Sequence, residues 1–102
     1  MTTNTMKFLE ELTGGPLTLG NAIRAIRLAD EIKQGAFAKK LRVSQSYLSD
    51  LENNRKEVSA QQAAKFAGIL RQSKSQFIRL ALQDSLTRQG LKKYKVDIDE
   101  AA

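Results

Sequence analysis

The chain is 102 residues long, 41% hydrophobic and 27% charged, with a net charge of +6. That length suits a single domain, and the composition belongs to the folded class. With no cysteine and no histidine, a disulfide framework, the usual zinc site and histidine acid–base chemistry are excluded.

The opening MTTNTMKFLEEL lacks the basic start and apolar stretch of a signal peptide. No apolar run approaches the roughly 20 residues that span a bilayer. A cytoplasmic protein is therefore expected. Met6, Phe8, Leu9 and Leu12 make a short amphipathic segment before the break at Gly14-Gly15-Pro16. That segment reads equally as a helix closing the core or as a partner-binding arm.

Thr18 can cap a helix over 19–30, where Leu19, Ala22, Ile23 and Ile26 follow the i, i+3, i+4, i+7 spacing. A shorter helix fits 34–41, with Phe37, Ala38 and Leu41 inward. Ser44 can then cap a third helix, running to about 53. Leu48 and Leu51 point inward there, leaving Gln45, Ser46, Ser49 and Asp50 outside. Ser59 can cap a fourth, with a narrow stripe of Ala60, Ala63, Ala64, Ala67 and Leu70. Ser73 or Ser75 starts a fifth. Its Phe77, Ile78, Leu80, Ala81, Leu82 and Leu86 form an apolar surface wider than one core-facing stripe requires, which suggests a dimer contact. Gly90 ends that helix, and residues 93–98 alternate polar and apolar as a strand does.

The positive charge concentrates on residues 18–89, which favours a polyanionic partner such as nucleic acid. Lys92, Lys93 and Lys95 are offset by Asp97, Asp99 and Glu100, so the tail reads as a solvated segment. No ligand set at loop spacing marks a calcium site. Scattered Ser, Lys and Asp residues lack the spacing that orients a nucleophile and base. No enzyme activity, cofactor or metal is expected. A membrane-surface role is disfavoured, because no helix joins a strongly cationic face to a broad exposed apolar one.

Helices 34–41 and 44–53, joined by the tight turn Leu41-Arg42-Val43, have the spacing of a helix-turn-helix unit. Ser, Gln and Asn on a short helix are ordinarily a solvated face. Here they occur in an ordered set with Arg27, Gln34, Ala38, Val43-Ser44 and Leu48-Ser49-Asp50-Leu51-Glu52-Asn53. From Leu19 to about Leu82 the chain thereby resembles the lambda-repressor-like (Cro/C1, Xre-type) DNA-binding family. The resemblance implies an all-α domain of five helices over 18–89, flanked by an N-terminal extension, 1–17, and a C-terminal tail, 90–102. It implies that Gln45, Ser46, Ser49 and Asp50 face base edges, and that Gln34, Asn53, Arg55 and Lys56 contact phosphates. It also implies a structural ion pair between Arg27 and Glu52.

Physical chemistry agrees. A helix in the major groove presents its first outward residues to the bases, and glutamine can bond adenine bidentately. Amides at the helix starts near Gln34 and Ser44 favour phosphate oxygens. Asp50 would repel phosphates unless it accepts from a cytosine amino group or pairs with a neighbouring arginine. Tyr47 can stack on a sugar or, the favoured reading, pack towards Leu51. The family usually places glycine where this chain has Arg42, at a left-handed position where a side chain costs roughly 1 kcal/mol. The implied function is a sequence-specific regulator of transcription, an autorepressor binding near-palindromic operator DNA as a homodimer through helix five. The alternative is an antitoxin that neutralises a partner toxin while repressing its own operon.

Overall fold

The computed structural model describes residues 17–101, in which five α-helices and no strand are found. They are α1 (Leu19–Ala29), α2 (Gln34–Leu41), α3 (Gln45–Glu52), α4 (Ala60–Leu70) and α5 (Lys74–Arg88). The amphipathic segment expected around Met6–Leu12 lies outside the described residues. Among them, no helix is long and apolar enough to cross a membrane.

Local chemistry sets where the helices begin. Thr18, Ser44, Ser59 and Ser73 are N-caps, each accepting at 3.0–3.2 Å from the backbone amide three residues on. Such a cap satisfies one of the first turn's unpaired donors and contributes about 1 kcal/mol. Helix α2 differs, because Lys33 precedes it and makes no side-chain cap.

Every helix ends the same way. Glu31, Arg42, Asn54, Arg71 and Gly90 have positive φ after α1 to α5 in turn. After α2, the Arg42 amide donates to Lys39 O at 3.1 Å and the Val43 amide to Ala38 O at 3.0 Å. That pair of bonds reverses the chain and satisfies carbonyls the helix leaves unpaired. Arg42, at φ 62° and ψ 42°, therefore does adopt the left-handed conformation, and the turn keeps its geometry without glycine. Only Gly90 among the five is a residue that occupies this region without strain.

The chain divides into two compact units at Lys56–Glu57. In the first, the buried hydrophobic side chains are Leu17, Leu19, Ala22, Ile23, Phe37, Ala38, Leu41, Leu48 and Leu51. Each fully buried Leu, Ile or Phe contributes roughly 1.5–3 kcal/mol by leaving water. Helix α1 meets α3 closely, since a Cβ on Gly20 would run into the Leu51 carbonyl oxygen. In the second unit, α4 and α5 pack extensively against one another. Val58, Ala63, Phe66, Ala67, Leu70, Phe77, Leu80 and Ala81 are buried there.

The strand expected over 93–98 does not form among the described residues. A strand requires a neighbouring backbone to complete its ladder, and the tail's neighbour is instead a side chain. The Gln83 amide donates to Tyr94 O at 2.8 Å and its Oε1 accepts from the Val96 amide at 2.8 Å.

Candidate nucleic-acid interface

The site is built on α1, α2 and α3 of the first unit. Its deepest element is Glu52, which is 4% exposed. A carboxylate so placed needs a partner for each oxygen, because an isolated buried charge is costly. Arg27 supplies both bonds, from Nε to Oε2 at 2.7 Å and from Nη2 to Oε1 at 2.9 Å. Its remaining Nη1 donates to Ile32 O at 3.0 Å. Hydrogen bonding to Glu52 holds the Arg27 guanidinium above its ordinary pKa, against the opposing effect of burial. Among the described residues, no buried side-chain nitrogen or oxygen lacks a partner.

The pair extends outward. Gln34 Nε2 donates to Glu52 Oε1 at 3.2 Å, and Gln45 Nε2 donates to Gln34 Oε1 at 3.4 Å. A run of polar contacts thus leads from a buried carboxylate to an exposed glutamine in the first turn of α3. Gln34 has its amide oriented by this arrangement, which fixes the acceptor offered to Gln45. Gly35 leaves room for it, since a Cβ there would approach Gln45 Oε1 to 3.2 Å.

Ser46 is also exposed, whereas Ser49 and Asp50 are half-buried. Asp50 Oδ1 pairs with Arg55, accepting from Nε at 3.0 Å and lying 3.0 Å from Nη2. In the DNA-free chain its charge is therefore matched by a neighbouring arginine. Ser44 Oγ accepts from the Tyr47 amide, which leaves its hydroxyl proton available to an anion. Asn53 is exposed and donates to Ser49 O at 2.8 Å, and Arg55 and Lys56 are exposed beyond it. Tyr47 is half-buried, and burial pushes its phenol above the ordinary pKa.

Several positioning residues were not evident as such in the sequence. Asn54, in the left-handed region at φ 60°, accepts from Thr18 Oγ1 at 2.7 Å and donates to Asn21 Oδ1 at 3.1 Å. It ties the segment after α3 to the start of α1. A second asparagine beside Asn53 is the only local signal, since Asn tolerates this conformation better than most residues. Lys33 and Lys39 line an open groove with Gln34, Ser44 and Gln45. Their exposed positions, Lys33 just before α2 and Lys39 within it, were legible as surface charge, but not as neighbours of α3.

The arrangement places two helix starts beside one groove, with neutral polar side chains flanked by cations. It can take phosphate oxygens on amides and lysines while glutamine and serine reach an adjacent edge. Among the described residues, no cluster of three His, Cys, Asp or Glu side chains could hold a metal. A family model described as helix-turn-helix matches residues 23–77. No curated protein and no solved structure gives a significant match to the chain.

Proposed function

Since the chain belongs to the Cro/C1-type helix-turn-helix family of DNA-binding transcription regulators, we propose that it represses its own transcription as a homodimer on a near-palindromic operator. The observation that carries this reading is the exposed Gln45 held by Gln34 and, behind it, Glu52. Gln45 and Ser46 read base edges in the major groove, with Ser49 and Asp50 further along the same helix. Gln34, Ser44, Asn53, Arg55 and Lys56 contact phosphates, and the uncapped start of α2 offers its amides to one of them. Residues 18–89 act as the binding domain, with 1–17 and 90–102 as flanking segments.

Dimerisation draws on α5. Leu82 is 38% exposed, and Ile78 and Leu86, one turn to either side, are only half-buried. A two-fold pairing through that stripe would place two copies of α3 about one DNA turn apart. The antitoxin reading is second, favoured by the exposed Leu91 and Tyr94 beyond the matched residues. Copurification with a second small protein would support it.

The test is fluorescence anisotropy of the purified protein against its own upstream DNA and a scrambled duplex, titrated with salt. Tight binding to the upstream duplex alone, with two chains per site, is expected. Equal, weak and salt-sensitive binding to both duplexes would overturn the operator reading, because phosphate contacts alone produce that behaviour.

A further inference from the structure

The tail has a property that its lack of a strand partner hides. About Val96 its charges are arranged as a palindrome in which each sign is matched by its opposite. Lys95 mirrors Asp97, Lys93 mirrors Asp99 and Lys92 mirrors Glu100. Tyr94 mirrors Ile98, and Val96 mirrors itself. In an antiparallel pair of identical segments, mirrored residues stand directly opposite one another on the same face. That register would set Lys95 against Asp97 on one face, and Tyr94, Val96 and Ile98 against apolar counterparts on the other. Opposite-charge and apolar cross-strand pairs are the contacts that stabilise a ribbon.

From Tyr94 onward the backbone is compatible with the same pairing, whereas Lys92 and Lys93 lie in a turn that the Tyr94 amide closes by donating to Leu91 O at 3.1 Å. Gln83 occupies the Tyr94 carbonyl and the Val96 amide, groups that an extended chain directs to one edge. The opposite edge carries the backbone groups of Lys95 and Asp97, which no other described residue engages. Val96 and Ile98 are half-buried, while Tyr94 is 55% exposed. A two-stranded ribbon alone is marginal in water. Here each strand is already fastened to α5 through Gln83.

We infer that the C-terminal segment pairs with the same segment of a second copy as an antiparallel ribbon, with Val96 on the two-fold axis. The inference rests on the homodimer proposed above and adds a second contact to it. Self-matched charge favours a second copy over an unrelated sheet edge, which need not carry the opposite pattern. The backbone edge left open requires Lys95 and Asp97 to form the hydrogen-bonded pair. Val96 then meets its own counterpart in the closer, non-hydrogen-bonded pair.

The chain has no cysteine, so single cysteines report the register in the full-length protein. Tyr94→Cys, Val96→Cys and Ile98→Cys are oxidised mildly and disulfide-linked dimer is followed with time, with sedimentation velocity on the reduced proteins. Val96→Cys is expected to link at least about tenfold faster than the others, whose equivalent positions would lie about 13 Å apart, beyond disulfide reach. Adding Lys95→Glu to Val96→Cys should slow linkage, and adding Asp97→Lys to that variant should restore it. A dimer with no preference for position 96, or with linkage insensitive to Lys95→Glu, would overturn the ribbon and leave the homodimer standing. A monomer at every concentration would overturn both.

Discussion

The two units of the chain are held by different kinds of contact. In residues 17–56, directional bonds join segments far apart in sequence: Arg27 to Glu52, Gln34 to Glu52, and Asn54 to both Thr18 and Asn21. In the helix pair α4–α5 the burial is apolar, and a polar bond such as that between Gln76 and Arg79 stays within one helix turn. There Phe66, Phe77 and Leu80 are buried among small residues such as Ala63 and Ala67. Apolar packing tolerates modest repacking, whereas hydrogen bonds fix angles and distances. The directional contacts are found in the unit that carries the side chains proposed to read DNA.

Breaking the buried pair should have the largest effect. Glu52→Ala strands the Arg27 charge and is expected to cost about 3–5 kcal/mol in urea unfolding. Replacing both partners, Arg27→Met with Glu52→Leu, should recover most of that stability. Operator preference should nevertheless stay impaired, because Gln34 has lost its carboxylate acceptor. If the double variant recovered full preference, Glu52 would have no role in positioning Gln34.

In the second unit, Phe77→Ala should cost about 3–5 kcal/mol by opening a cavity. Its folded fraction should keep wild-type sequence preference, read by anisotropy at temperatures where the variant is folded. A changed preference would mean that the apolar pair also tunes the reading residues.

Single contacts at the DNA face come next. Gln45→Ala is expected to cost ~1–3 kcal/mol on the operator and to relax base preference at one position. Arg55→Ala should weaken all sequences and lower the salt slope by about one. Because it also leaves the Asp50 carboxylate unmatched, Asp50→Asn should recover part of the lost affinity. Unchanged affinity and preference in Gln45→Ala would remove that residue from the base-reading set.

The smallest expected effect lies in the turns. Glu31→Gly relieves a left-handed side chain and should stabilise the fold by up to about 1 kcal/mol, the greater chain entropy of unfolded glycine offsetting part of the gain. Thermal unfolding measures it. The operator affinity should be unaltered, since Glu31 has no part in the site.

The sequence read best where one stretch of chain contains both halves of an interaction. Thr18, Ser44, Ser59 and Ser73 cap helices because the amides they bond lie three residues on. The Leu48 and Leu51 spacing set which face of α3 is buried and which carries Gln45 and Ser46. The alternation of 93–98 was visible too, but it could not indicate whether a strand had a neighbour to join.

Apart from the Arg27–Glu52 pair, which the family resemblance implied, tertiary structure decided the contacts between distant residues. Asn54 meets Thr18 across 36 positions and Gln34 meets Glu52 across 18, and neither pairing leaves a periodic trace. The sequence by itself determined the helices, their caps and the polar face of α3, since these follow from spacings of three and four residues. Only the folded chain decided that Gln45 is held by Gln34, that Asp50 is matched by Arg55, and that Gln83 holds the tail. Hydrogen bonds of that kind depend on ångström-scale placement of separate elements, which local pattern does not encode.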